Sequence, residues 1–192
     1  MNSQNKKIIV FAGPSGVGKS TLAHMLLEEY DFFNFSISAT TREPRVGETD
    51  EVDYHFLSKE DFHQKISNDE FIEWEEVYEG RFYGTLRNEV EKITDKNNIA
   101  IFDIDVVGAL NIKKQYGDEA YVVFIKPESV EALLTRLRNR GTETEEQIQM
   151  RKDRFVKELS YENKFDYILT NKTGEIEAAQ EQIRAIIEKH FK

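Results

Sequence analysis

The segment Gly13-Pro14-Ser15-Gly16-Val17-Gly18-Lys19-Ser20 constrains the fold more than any other part of this 192-residue chain. It matches the pattern G-x-x-x-x-G-K-[ST] and lies between an apolar run and a helix-period stretch, the context in which that pattern forms a phosphate-binding loop. The glycines let backbone N–H groups converge on phosphate oxygens, and the N-terminus of the following helix adds its partial positive charge. Lys19 is expected to bridge the β- and γ-phosphates of a nucleoside triphosphate, with the Ser20 hydroxyl on Mg²⁺. Such a loop names a triphosphate and leaves the reaction open, because GTPases, motors and nucleoside monophosphate kinases all carry one.

The rest of the chain alternates short apolar runs with helix-period segments, the signature of a parallel sheet with helices on its faces. Strands are predicted over Lys7 to Ala12, Phe35 to Ala39, Asn98 to Asp103, Tyr121 to Lys126 and Tyr167 to Thr170. Helices are predicted over Lys19 to Glu29, Val106 to Tyr116, Val130 to Arg140, Glu145 to Lys164 and Glu175 to His190. Within the third helix Val130, Leu133, Leu134 and Leu137 fall at i, i+3, i+4 and i+7, so one face is apolar and Arg136 and Arg140 point elsewhere.

The formal net charge of −10 speaks against broad binding to nucleic acid or to an anionic membrane, since both need a basic surface. The charge is concentrated. From Glu48 to Glu91 there are 14 acidic and 4 basic residues, a net of −10, together with eight aromatics. A disordered acidic tail would lack those aromatics, so the stretch is read as a folded lobe with a small core of its own. Tyr54 to Leu57, Phe71 to Tyr78 and Arg81 to Thr85 read as its strands, and Ser58-Lys59-Glu60-Asp61 reads as a capping box opening a short helix. The chain has no cysteine, which excludes disulfides and thiolate metal sites. The apolar run before Gly13 is too short for a signal-peptide core or a membrane span, so a cytoplasmic location and no membrane partner are expected.

Seven segments resemble one family in order and approximate spacing. They are Gly13 to Leu22, Ser38-Ala39-Thr40-Thr41-Arg42-Glu43-Pro44-Arg45, Val52-Asp53-Tyr54, Glu70-Phe71-Ile72-Glu73-Trp74, Phe82-Tyr83-Gly84-Thr85, Asp103-Ile104-Asp105 and Arg140-Gly141-Thr142-Glu143-Thr144. Over nearly its full length the chain resembles the guanylate kinases. The resemblance implies an α/β fold: a P-loop parallel sheet with helices on both faces, an inserted and mostly antiparallel GMP-binding lobe, and a helical lid. It implies one domain, with core 1–36, 86–128 and 160–192, lobe 37–85 and lid 129–159. The implied reaction is the Mg²⁺-dependent transfer of the ATP γ-phosphoryl group to GMP, and also to dGMP. A monomer or small homo-oligomer is expected.

By the same resemblance Glu73 accepts from guanine N1–H and N2–H, the pairing for which a carboxylate is suited. Asp105 accepts a further guanine proton, and the hydroxyls of Ser38 and Thr85 donate to O6 or otherwise satisfy the base edge. Arg42 and Arg45, with Tyr54 and Tyr83, are expected on the GMP phosphate, two guanidinium forks three residues apart suiting one phosphate. Asp103 closes an apolar strand at its carboxyl end, where such sheets place their ligands; it either holds Mg²⁺ through water or orients Arg42 and Arg45. Gly13 to Ser20 and Thr21 are expected on ATP, with Asn171 touching adenine. Arg136, Arg140 and Arg151 are expected as lid arginines that reach the transferring phosphoryl group on closure. The family's usual glutamine before the glycine that follows Asp105 is Val107 here, and its common acidic residue after Asn171 is Lys172.

Two other readings stay open at this level. One is a catalytically inactive guanylate-kinase-like interaction module, disfavoured by the intact Lys19, Ser20, Arg140 and Arg151. The other is a kinase for a different nucleoside monophosphate on the same fold, disfavoured by the set Glu73, Asp105, Ser38 and Thr85.

Overall fold

A computed structural model describes residues 6–78, 80–140 and 145–192, and for Val77, Tyr78 and Arg140 it describes the backbone. The elements in chain order are β1 (Ile8–Ala12), α1 (Lys19–Glu29), β2 (Phe33–Phe35), β3 (Ser38–Thr40), β4 (His55–Phe56), α2 (Lys59–Ser67), β5 (Phe71–Tyr78), β6 (Arg81–Leu86), α3 (Arg87–Thr94), β7 (Ile99–Ile104), α4 (Val106–Tyr116), β8 (Ala120–Lys126), α5 (Val130–Arg140), α6 (Glu145–Leu159), β9 (Tyr167–Thr170) and α7 (Ile176–His190).

Five strands form a parallel sheet in the order β2-β7-β1-β8-β9. Its central strands are apolar on both faces, as a sheet covered by helices on each side requires. Period two sorts the residues: Ile9 and Phe11 of β1 face a layer containing Leu22 and Leu26 of α1 and Ile183 and Ile187 of α7, while Ile8, Val10 and Ala12 face Val90 of α3 and Ala109 and Ile112 of α4. Every residue of β1 is fully buried. The P-loop is thereby fastened at both ends, by a central strand and by a helix packed on it.

The expected strand Phe35 to Ala39 is two strands in two sheets. Phe33–Phe35 pairs with β7, and after the buried Ser36 the chain crosses so that Ser38–Thr40 pairs with β6 and β4 in a second sheet, order β4-β3-β6-β5. No Gly or Pro marks the crossing, and the alternating pattern runs through it, so the division was invisible locally. β3 with β6 and β5 with β6 are antiparallel, while the short β4 is parallel to β3. This second sheet has its own core, in which Phe62 and Phe71 stack with ring centres 4.4 Å apart beside Phe82 and Leu86. The predicted cap of α2 is present: Ser58 Oγ accepts from the Asp61 amide at 3.0 Å and donates to the Asp61 carboxylate at 2.7 Å.

Two further differences concern helices. α3 was not expected; it lacks a side-chain cap and is held by burying Val90 and Ile93 against the main sheet. The predicted helix Glu145 to Lys164 ends at Leu159, followed by a single 3₁₀ turn at Glu162–Lys164. The loop 141–144 lies outside the described residues.

Candidate active site

A cavity of about 330 Å³ opens between the P-loop, the carboxyl end of β7, the second sheet and α6. It brings together most of the residues singled out from the sequence: Lys19, Ser38, Arg45, Tyr54, Glu73, Tyr83, Asp103, Asp105 and Arg151 all line it.

At the phosphate-loop end, Gly13 has φ +139°, and a Cβ there would come within 2.2 Å of the Ile125 carbonyl oxygen, so only glycine fits. Lys19 Nζ donates to the carbonyls of Gly13 (2.9 Å) and Pro14 (3.2 Å) and stands 3.4 Å from Asp103 Oδ1. Ser20 Oγ donates to Asp103 Oδ2 at 2.5 Å. A hydroxyl and a carboxylate are hard oxygen donors, and two such ligands beside a phosphate cradle fit Mg²⁺, which keeps waters and takes its other ligands from phosphates. Among the described residues no cluster of three acidic or histidine side chains forms a complete protein cage for a metal.

Asn171, expected on adenine, is buried beneath the loop, where its Nδ2 donates to the Val17 carbonyl at 2.8 Å. Its observed contact therefore supports the P-loop backbone. Arg136 is similarly held: its Nη2 donates to the Asn171 carbonyl at 2.8 Å and to Glu128 at 2.9 Å, with Thr173 Oγ1 also in reach. These bonds fix α5 to the ends of β8 and β9, and Arg136 is not among the residues lining the cavity. The Arg140 side chain lies outside the described residues. Arg151, on α6, lines the cavity.

At the opposite end, strand pairing juxtaposes the base-edge candidates. Ser38 pairs with Thr85, and Thr85 with Glu73, across β3, β6 and β5. Thr85 Oγ1 donates to Glu73 Oε1 at 2.7 Å. Burial pushes the Glu73 carboxyl up to about 7; the Thr85 hydrogen bond opposes the shift and the charge of Asp105 adds to it. Gly108 of α4 packs so close that a Cβ there would stand 2.9 Å from Glu73 Oε2. A side chain at 108 would press on the carboxylate, so the glycine keeps this wall open.

Asp105 N-caps α4, its Oδ1 accepting from the Gly108 amide at 2.9 Å. Its Oδ2 accepts from Arg154 Nη2 at 2.8 Å. Glu75 is also raised to about 7, by burial first and then by its hydrogen bond with Asp105. Asp105 is shifted the other way: burial works against ionisation, but the Glu75 hydrogen bond, the Gly108 amide and the Arg154 charge hold it below the usual carboxylate range. The pair therefore keeps its proton on Glu75.

Near the cavity mouth Arg42 makes a two-pronged pair with Glu48, at 2.8 and 2.9 Å, while the Arg45 amide donates to the same carboxylate at 2.7 Å. Arg42 also lies over the Tyr54 ring, 5.3 Å from its centre, and Tyr54 and Tyr83 meet edge to face. These contacts order the segment that carries Arg45 beside Tyr54 and Tyr83; Arg42 itself is not among the residues lining the cavity. Sequence reasoning missed Glu48, Glu75, Arg154 and Glu158. Only Arg154 had a local signal, its position three residues past Arg151 on one helix, which places both near one face.

The sheet order, the glycine loop between β1 and α1, and a cavity outside the carboxyl ends of β1 and β7 define a P-loop α/β nucleotide-binding protein. The family model described as guanylate kinase matches residues 5–190. A guanylate kinase of Porphyromonas gingivalis is 46% identical over 182 residues, covering 94% of this chain and 96% of its own length. One of Clostridium perfringens is 46% identical over 180 residues, covering 94% and 82%. Among solved structures, the guanylate kinase of Anaplasma phagocytophilum superposes with a TM-score of 0.74 at 30% identity, covering 100% of this chain and 89% of that one. This chain belongs to the guanylate kinase family. The SH3-kinase fragment of tight junction protein 3 shares the fold, with a TM-score of 0.51 at 17% identity, over 97% of this chain and 58% of that one.

Proposed function

We infer that the protein is an ATP:GMP phosphotransferase, which moves the γ-phosphoryl group of ATP onto GMP and dGMP to give ADP and the nucleoside diphosphate. The observation that carries this is one cavity with a triphosphate loop at one end and Glu73, held by the buried Thr85, at the other. Guanine offers two N–H donors on one edge, and an ionised Glu73 accepts both. Asp105, Ser38 and Thr85 complete the base edge, and Arg42, Arg45, Tyr54 and Tyr83 take the GMP phosphate. The phosphate of GMP is itself the nucleophile, so catalysis rests on alignment and charge rather than on a strong base. Lys19 leaves its carbonyl partners to hold the β- and γ-phosphates. Mg²⁺ would be held by Ser20 and by Asp103, directly or through water, and supplies charge neutralisation at the phosphates.

The core comprises 1–36, 86–128 and 160–192, the GMP-binding lobe about 37–85 and the lid about 129–159, with Arg140 and Arg151 brought to the transferring group when the lid closes and Arg136 and Asn171 framing the ATP side. A panel of GMP, dGMP, AMP, CMP, UMP and dTMP as acceptors, followed by ADP release, tests the assignment. Turnover confined to GMP and its deoxy form is expected. A different preferred acceptor would remove the guanine reading, and no turnover with any would favour a non-catalytic module.

Arg151→Ala is expected to lower kcat by about 10³-fold while changing GMP affinity little, as for arginines that act mainly on the transition state. A near-normal kcat with a raised KM would make Arg151 a ground-state binding group.

The raised Glu73 carboxyl predicts a proton linkage. The free protein holds a proton there below pH about 7, whereas guanine donors favour the ionised form. GMP binding should thus release a proton at pH 6, strengthen as pH rises towards 7, and lose the linkage above about pH 8. Calorimetric titrations in buffers of different ionisation enthalpy measure the release directly. Proton uptake at pH 6 would contradict an ionised Glu73 in the complex.

A further inference from the structure

The reaction derived above makes no use of Arg154. Yet this side chain joins three carboxylates from three parts of the chain: Nη2 donates to Asp105 Oδ2 at 2.8 Å, Nε donates to Glu158 Oε1 at 2.9 Å, and Nη2 stands 3.8 Å from Glu75 Oε2. Glu158 is buried, and the Asp105 side chain is three-quarters buried. The second Asp105 oxygen is already taken by the Gly108 amide. Both Asp105 oxygens are therefore engaged, Oδ2 by a guanidinium from α6.

A guanidinium and the N1–C2–N2 edge of guanine share one chemical unit, a carbon flanked by nitrogens that bear N–H donors. Arg154 thus presents to Asp105 an N–H of the kind that the base would bring. We propose that Arg154 is a positioning residue that stands in for the guanine edge on Asp105, and that GMP displaces it, tying occupancy of the base subsite to the placement of helix α6 and Arg151. This rests on the reading of the acceptor subsite given above.

The physical requirement is that the carboxylate oxygen keep a hydrogen-bond donor. A carboxylate withdrawn from water needs a partner, and removing the partner from a buried pair is costly. While the subsite holds no base, Arg154 is that partner. When guanine enters, one set of N–H···O bonds is exchanged for another, so the carboxylate stays satisfied throughout. The guanidinium keeps Glu158 one turn along its own helix, and it moves with that helix. Arg151 lies one turn the other way on α6, so the exchange alters the element that carries the transfer arginine.

Arg154→Ala tests this. Without the internal competitor, GMP alone should bind roughly five- to tenfold more tightly by calorimetry, the scale of one charge-assisted hydrogen bond no longer displaced. At the same time kcat should fall by about tenfold, because base binding no longer repositions α6. A merely structural arginine would weaken both. Free guanidinium at about 10 mM, far below denaturing concentrations, should weaken GMP binding to Arg154→Ala back towards the parent value and leave the parent unaffected. Arg154→Lys, which keeps the charge and loses the fork, should tighten GMP by only about two- to threefold, and it serves if the alanine variant does not fold. Unchanged or weaker GMP binding in these folded variants overturns the proposal, as does insensitivity of Arg154→Ala to guanidinium. Glu73→Gln separates the layers. If that variant binds GMP normally the acceptor reading fails, and if it loses GMP while Arg154→Ala gains nothing, only the displacement fails.

Discussion

Glu73→Gln is expected to reduce kcat/KM for GMP by about 10²- to 10⁴-fold while sparing ATP, the range set by how far the base edge is shielded from water. The amide conserves size but replaces one acceptor with a donor, so an N–H faces a guanine N–H inside a desolvated wall. Thr85 holds Glu73 in place, donating to Oε1 at 2.7 Å. Inosine monophosphate, which lacks the 2-amino group, should be a poor substrate for the parent enzyme and should lose less than GMP on this substitution. Steady-state kinetics with both nucleotides on both proteins supplies the four values needed. Equal losses would mean that Glu73 does not read the 2-amino group, and the guanine assignment would move to Asp105.

Lys19→Met should lower turnover on the order of 10⁴-fold, because the β/γ-phosphate charge loses its fixed cation at the point where it develops in the transition state. Methionine fills the same volume without the ammonium. GMP binding should survive, since Lys19 touches the Gly13 and Pro14 carbonyls and Asp103, whereas Glu73 and Thr85, the side chains proposed to read the base, lie on β5 and β6. Calorimetry with GMP alone on the folded variant decides the point. Loss of GMP binding together with turnover would show that the two ends of the cavity do not bind independently.

These two substitutions also mark different degrees of legibility. Lys19 belongs to a contiguous motif whose backbone geometry is local, so its place and chemistry could be read in eight residues. The main strands β1, β7 and β8 were legible for a related reason: a sheet buried on both faces demands unbroken apolar runs, and those runs stand out in an otherwise polar chain. The α2 cap was legible because Ser58 and Asp61 satisfy each other within one turn. The acidic, aromatic-rich stretch announced a second folded unit, since eight aromatics cannot stay exposed in a stable chain.

Nothing local, by contrast, marks Ser36 as the point where the chain leaves one sheet for another, because both strands obey the same period of two. The partner of each side chain was equally hidden. Glu48 turning Arg42 into an ordered fork, Asn171 and Arg136 bracing the P-loop and β9, and Arg154 crossing from α6 to Asp105 all join residues whose spacing carries no signal. The sequence could place Glu73 and Asp105 among the candidate acceptors, but not what their surroundings do to them. Desolvation depends on what the folded chain stacks around a carboxyl, so the rise of Glu73 to about 7 and the fall of Asp105 belong to the tertiary structure. Short-range backbone geometry and hydrophobic period are written along the chain, whereas burial and long-range charge pairing exist only once distant segments meet.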